Sequence, residues 1–164
     1  MKRIQNKIGL TIVEILVVVA IISLLAAGLY TVGNYVETQT KIKQTKSTIE
    51  ILSAALEQYY DFYNGVRGVG KFPDPNDPNG VPLGCNSNME KLYYRLSCVP
   101  DAKKILNQIN PTFIKDVDDN NRPEIIDAWG NHFHYSYVPS RNFPVIDSNG
   151  PDKKLGGNDD ISSR

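Results

Sequence analysis

The sequence predicts an α+β fold: one long N-terminal helix whose distal half packs on a small, loop-rich C-terminal domain with a short antiparallel sheet. Three observations predict it. Residues 10–32 are apolar except for Glu14, Ser23, Tyr30 and two threonines. An apolar stripe follows at alternating steps of three and four: Ile42, Thr45, Ile49, Leu52, Leu56, Tyr59 and Tyr63. Beyond residue 64 the chain turns to glycine, proline, Asn and Asp, with only short periodic segments.

The first element is long enough to cross a bilayer. The run of about 23 residues spans roughly 35 Å as a helix. Ahead of it, residues 1–9 carry Lys2, Arg3 and Lys7 and no acid. A basic flank stays cytoplasmic, so the C-terminal part is expected on the other side. A secretory signal peptide, with Ala26-Ala27-Gly28 as its cleavage site, and a plain anchor are the competing readings. Neither accounts for Glu14, because a carboxylate near the start of a spanning segment is costly and marks a functional position.

The helix is expected to continue to Tyr63 and stop at Asn64-Gly65, with Gly33 as a single interruption. The stripe gives its second half one buried face. Lys41, Lys43, Lys46, Glu50, Glu57 and Asp61 occupy the other. Packing against the chain's own C-terminal domain is preferred over a coiled coil, for which the stripe is short.

After an irregular loop over residues 65–84, short helices are expected over 88–96 and 101–109. Asp101 is placed as a cap of the second helix and Asn110-Pro111 as its end. A strand is expected over 132–138, a very short one at 145–146, and a loop-like tail.

Charge and composition narrow the function. The 18 basic and 18 acidic residues cancel, which gives no support for nucleic-acid binding. Cys85 and Cys98 are expected to pair if this part lies outside the cytoplasm, adding about 2–3 kcal/mol; two free thiols are the alternative. Two thiols alone make a poor zinc site. His132 and His134 share a face of the expected strand but lack a third ligand, so surface or packing roles are favoured. Asp116, Asp118, Asn120 and Asp127 copy part of an EF-hand spacing. Asn121 stands where glycine is needed and Pro123 interrupts the loop, so a solvated turn is favoured. Trp129 reads as a core residue anchoring its turn to the long helix. No catalytic signature stands out, and no enzyme is expected.

Lys7-Ile8-Gly9-Leu10-Thr11-Ile12-Val13-Glu14 resembles the cleavage motif of type IV prepilins and type II secretion pseudopilins. The resemblance implies that a prepilin peptidase cuts between Gly9 and Leu10 and methylates the new amine. Leu10 stands where phenylalanine is commoner. Glu14 becomes the fifth mature residue (14 − 9 = 5), the family's acidic position. There its carboxylate pairs with the amine of a neighbouring subunit, so that its charge is compensated on assembly.

Asp127-Ala128-Trp129-Gly130-Asn131-His132-Phe133-His134-Tyr135 resembles a segment of major pseudopilins, with Ala128 where proline is usual. Ser148-Asn149-Gly150-Pro151-Asp152 and Gly156-Gly157-Asn158-Asp159-Asp160-Ile161 resemble the calcium loop of the same group. Calcium takes six to eight oxygens, and the resemblance implies Asp152, Asp159 and Asp160 as carboxylate ligands; a solvated acidic tail is the alternative.

The implied organisation is a leader (1–9), a transmembrane half-helix (10–32), an amphipathic half-helix (33–64) and a pilin-like globular domain (65–164). The implied role is structural: a homopolymer built through the N-terminal helix, anchored in the bacterial inner membrane and assembled into a periplasmic or surface filament. An assembly platform and minor pseudopilins are the implied partners. The major pseudopilin of a type II secretion system leads. A pilin-like subunit for adhesion, motility or DNA uptake is the near alternative. A membrane-tethered calcium-binding ectodomain that never polymerises is the reading from another class.

Overall fold

The computed structural model describes residues 11–68, 70–77, 79–138 and 143–164. The fold is pilin-like α+β, a long N-terminal helix followed by short helices and short antiparallel sheets. The chain divides into two units, Met1–Gln39 and Thr40–Arg164. Helix α1 (Ile12–Arg67) contributes to both.

In the first unit the apolar run of α1, up to Val32, is exposed on every described side, as a surface built for lipid or for other helices would be. The Ser23 hydroxyl donates to the Val19 carbonyl at 2.8 Å, which satisfies it within the apolar run.

In the second unit the helix is one-sided. Thr45, Ile49, Leu52, Leu56 and Tyr59 are buried and Ile42 and Tyr63 half-buried. Lys43, Lys46, Glu50, Glu57 and Asp61 are exposed. The stripe therefore packs against the chain's own C-terminal part. Thr48 and Ala55, outside the alternating series, are buried too. The helix runs past Asn64-Gly65. It ends at Gly68, whose φ of +68° suits a residue without Cβ and whose N–H still reaches the Asn64 carbonyl at 2.9 Å.

Helices α2 (Asn88–Ser97) and α3 (Pro100–Leu106) contribute Met89, Leu92, Leu96, Ala102 and Leu106 to the buried core that the stripe also enters. Ser87 caps α2, its side chain accepting from the Glu90 N–H at 3.0 Å. Asp101 does not cap α3. Val99 sits at the N-cap without a side-chain bond, and Pro100 fills the first turn, where its missing N–H costs nothing. Asp101 accepts from Lys104 Nζ instead. Helix α3 ends before Asn110-Pro111, which opens a 3₁₀ turn, Pro111–Phe113, capped by Asn110.

Strands β1 (Ile114–Lys115) and β2 (Glu124–Ile125) form an antiparallel pair. Strands β3 (His134–Ser136), β4 (Val145–Ser148) and β5 (Ile161–Ser162) form an antiparallel sheet in the order β3-β4-β5. The strand expected over 132–138 is thus shorter, with His132 in an isolated bridge to Ile126. The one expected at 145–146 is longer, and the tail is not all loop.

The segment over 70–86 lacks helix and strand among its described residues. Arg95 holds it in place. The buried guanidinium donates to the carbonyls of Asp74 (2.7 Å), Asp77 (2.6 Å) and Asn79 (3.1 Å). The Tyr135 hydroxyl donates to the Pro73 carbonyl at 2.6 Å.

A single carboxylate organises the turn before β3. Asp127 is buried. Its Oδ1 accepts from the N–H groups of Trp129 (2.9 Å) and Asn131 (2.8 Å). Its Oδ2 accepts from Asn131 Nδ2 (3.2 Å) and the Ser148 hydroxyl (2.7 Å) on β4. The next residue, Ala128, donates its N–H to Thr45 Oγ1 on α1 at 3.2 Å. Trp129 is half-buried against the core, and the Ala128 N–H is what ties the turn to the helix. Hydrogen bonds to an ionised acceptor contribute about 1.5–3 kcal/mol each, and a buried donor left bare adds a penalty. Asp127→Ala is therefore expected to lose about 3 kcal/mol or more in chemical denaturation of the detergent-solubilised chain. Glu57→Ala, on the exposed face of α1, is expected to change stability by under about 0.5 kcal/mol.

Candidate functional site

Two places bear on function: the start of α1 and the C-terminal loop. Gly9 and Leu10 lie outside the described residues. The next residue, Thr11, opens α1. Its carbonyl accepts from the Ile15 N–H at 3.3 Å and its Oγ1 accepts from the Glu14 N–H at 3.3 Å. In return Glu14 Oε2 accepts from the Thr11 N–H (2.8 Å) and the Thr11 hydroxyl (2.9 Å). This is a reciprocal capping box, Thr-x-x-Glu ahead of an apolar run. The carboxylate is thus satisfied within the chain, and assembly is not its only source of partners. The four residues Thr11-Ile12-Val13-Glu14 carry that signature in the sequence, beside the cleavage motif.

In the C-terminal loop the carboxylates fold the backbone around themselves. Asp159 Oδ2 accepts from the Asp152 N–H at 3.0 Å. Asp160 Oδ2 accepts from the Gly156 N–H at 2.7 Å, and Asp152 Oδ1 accepts from the Lys154 N–H at 2.8 Å. Gly150, at φ +63°, lies so close under the Asp159 carbonyl that no Cβ fits. A Cβ on Gly157 would stand 2.6 Å from Asp159 Oδ1 and 3.4 Å from Asp152 Oδ2, so those two carboxylates converge on one glycine. Among the described residues, no group of three His, Cys, Asp or Glu side chains is arranged to hold a metal ion. Two oxygens of this region, Asn149 Oδ1 and Asp160 Oδ1, are buried without a hydrogen-bond partner. A hard cation would satisfy such atoms in a mixed shell of carboxylate, amide and carbonyl oxygens.

The EF-hand-like spacing closes a turn instead. Asp116 accepts from the N–H groups of Asn120 (3.1 Å) and Asn121 (2.6 Å), and Asp118 accepts from Asn86 Nδ2 at 2.7 Å. Asp127, its twelfth position, belongs to the turn before β3. Cys85 and Cys98 are not bridged; both are free thiols. Burial, then the nearby Glu90 carboxylate, pushes the Cys85 thiol up, so it stays protonated and weakly reactive. The Cys98 thiol pushes the neighbouring Tyr94 phenol up. His134 is exposed on β3, and His132 Nδ1 lies 2.8 Å from Glu124 Oε2.

Residues 4–30 match the prokaryotic N-terminal methylation motif. No curated protein and no solved structure matches the chain. The motif is that of prepilin-like subunits, structural proteins that a prepilin peptidase processes. Helix α1 is long and apolar enough to cross a membrane, in keeping with inner-membrane anchoring before assembly. The methylation motif of type IV pilin- and pseudopilin-like subunits thus runs into such a helix, ahead of a small α+β unit.

Proposed function

We propose that this chain is the major pseudopilin of a type II protein secretion system, cut between Gly9 and Leu10 and polymerised through α1. The observation that carries the reading is the C-terminal loop. It combines the Asp127–Ser148 lock, the convergence of Asp152 and Asp159 on Gly157 and the unpartnered Asp160 and Asn149 oxygens. The proposal gives that loop a calcium ion, with Asp152, Asp159 and Asp160 as carboxylate ligands. The new amine of one subunit meets Glu14 of the next. Minor pseudopilins and an inner-membrane platform are the further partners. The lack of a three-carboxylate metal group among the described residues favours a second reading, a pilin-like subunit for adhesion, motility or DNA uptake.

N-terminal sequencing of membrane-extracted protein is expected to begin at Leu10, whereas Gly9→Val stays uncut because a branched side chain crowds the scissile bond. Normal processing of Gly9→Val would remove the proposed cut site. Glu14→Val is expected to insert into membranes at least as well as wild type, since an apolar residue is cheaper in lipid. Its filament yield, read by shearing and immunoblot, is expected to fall sharply; wild-type yield would remove the amine pairing. Calcium is expected to raise the melting temperature of the full chain in detergent. A hundredfold excess over the dissociation constant is worth about 2.7 kcal/mol. Asp159→Ala should abolish the rise and Asp118→Ala should keep it. Equal melting in calcium and chelator would favour the second reading.

A further inference from the structure

We propose that the cavity between the distal end of α1, Arg95 of α2 and the segment that Arg95 holds is a binding site for a neutral sugar ring. The cavity measures about 530 Å³, within the range of small-molecule sites. Tyr59, Tyr63, Phe72, Asp74, Asn79 and Arg95 are among the residues that line it. It shares no residue with the start of α1 or with the C-terminal loop, so the proposal stands apart from the reading given above.

The walls are held in place from behind. Phe72 is buried, and its ring meets those of Tyr60 (centroids 4.8 Å apart), Tyr137 (5.7 Å) and Phe143 (5.0 Å). Tyr59 and Tyr63, one turn apart on α1, pack with ring centroids 4.6 Å apart. The opposite rim is fixed by the three carbonyls that Arg95 binds and by the bond from the Tyr135 hydroxyl to the Pro73 carbonyl. A site shaped in advance loses little freedom when a ligand enters.

The charges of the lining cancel, Lys71 and Arg95 against Asp74 and Asp77. They are also largely committed. The guanidinium is spent on the carbonyls and has Asp77 Oδ2 at 4.0 Å. Asp77 Oδ1 accepts from the Asn79 N–H and from Asn79 Nδ2, both at 2.9 Å. Those two bonds above all, helped by Arg95 and Lys71, hold its carboxyl below the usual carboxylate range. Burial pushes the Tyr59 phenol up, so that hydroxyl adds no charge. An anion would find no unspent guanidinium, and a singly charged ligand of either sign would unbalance a neutral lining.

What the lining offers is ring faces and unused acceptors. Asp74 commits Oδ1 to the Asn76 N–H at 2.9 Å, and Asn79 commits its amide nitrogen to Asp77. The second Asp74 oxygen and Asn79 Oδ1 remain for hydroxyl donors, and exposed Lys71 supplies a donor in return. A pyranose has the matching chemistry. It is uncharged, its C–H face suits an aromatic ring, and hydroxyls around its edge both donate and accept.

The test titrates the full chain with glucose, galactose, mannose and N-acetylglucosamine and follows it by NMR. Micelles of dodecylphosphocholine keep sugar-headed detergent out. At least one sugar is expected to bind with a dissociation constant of about 1 mM. It should shift the Asn79 amide and Arg95 guanidinium signals and leave the Lys103 amide of α3 in place. Tyr63→Ala is expected to weaken binding about tenfold through the lost ring face. Asn79→Ala keeps the backbone carbonyl that Arg95 uses and is expected to weaken binding about fivefold. Glu57→Ala, outside the cavity, should bind as wild type does. No shift at Asn79 or Arg95 with any of these sugars up to about 50 mM overturns the proposal. Tighter binding of glucuronate or of protonated glucosamine than of glucose overturns it, as does binding unchanged in both cavity variants. Should Tyr63→Ala fail to fold, Asn79→Ala and the comparison with charged sugars decide.

Discussion

One helix must satisfy two environments, and the rest of the structure follows from where its surface changes. Up to Val32 the described part of α1 is exposed and, Glu14 and a few small polar residues apart, apolar; from Thr40 it belongs to the compact unit and presents a single stripe. Burying a large aliphatic or aromatic side chain is worth about 1.5–3 kcal/mol, so Ile49, Leu52, Leu56 and Tyr59 supply most of what α1 gives to that unit. The two short helices and three short strands of the main sheet are individually too small to be stable. They persist because each adds one or more apolar residues to the same buried core as that stripe: Met89 and Leu96, Ala102 and Leu106, Tyr135, Ile146 and Ile161.

Polar atoms do the fine positioning. A core with so little regular sheet leaves many backbone groups to be satisfied by side chains. Asp127, Arg95 and Ser87 each serve several partners at once. Asp127 ties its own turn to β4 while the adjacent Ala128 N–H reaches Thr45 on the helix. Arg95 donates to three carbonyls of a segment without helix or strand among its described residues. In these cases the apolar stripe brings the elements together and a buried polar residue fixes their register.

The long helix, its stripe, α2 and the acid at residue 14 were legible because each rests on a local pattern of 3.6-residue period or a short motif. What was not legible rests on partners distant in sequence. Asp127 reads as a possible ligand until Ser148 is placed beside it. β5 is two residues long and has no pattern of its own, yet it pairs with β4. Asp101 looks like a cap, but Pro100 moves the helix start one residue earlier. Gly65 looks like a stop, but helix continues where nothing opposes it, until Gly68 supplies the left-handed residue. The contact between His132 and Glu124 crosses two elements, and no spacing announces it.

The capping box refines what Glu14 does. Thr11 keeps its amide N–H and hydroxyl if the chain is cut between Gly9 and Leu10, because both lie beyond the broken bond. The two bonds that Glu14 accepts are therefore the same before and after processing. Among the described residues both fall on Oε2, which orients the carboxylate at the first turn of α1. A cut at that bond would add a cation one residue before the cap. A carboxylate already held in one rotamer would lose little freedom on pairing with a neighbour's amine, as proposed above, and anionic groups are favoured at a helix N-terminus. The box lowers the cost of carrying Glu14 in an apolar segment while the subunit is alone. It also holds the carboxylate in one orientation at the first turn of α1.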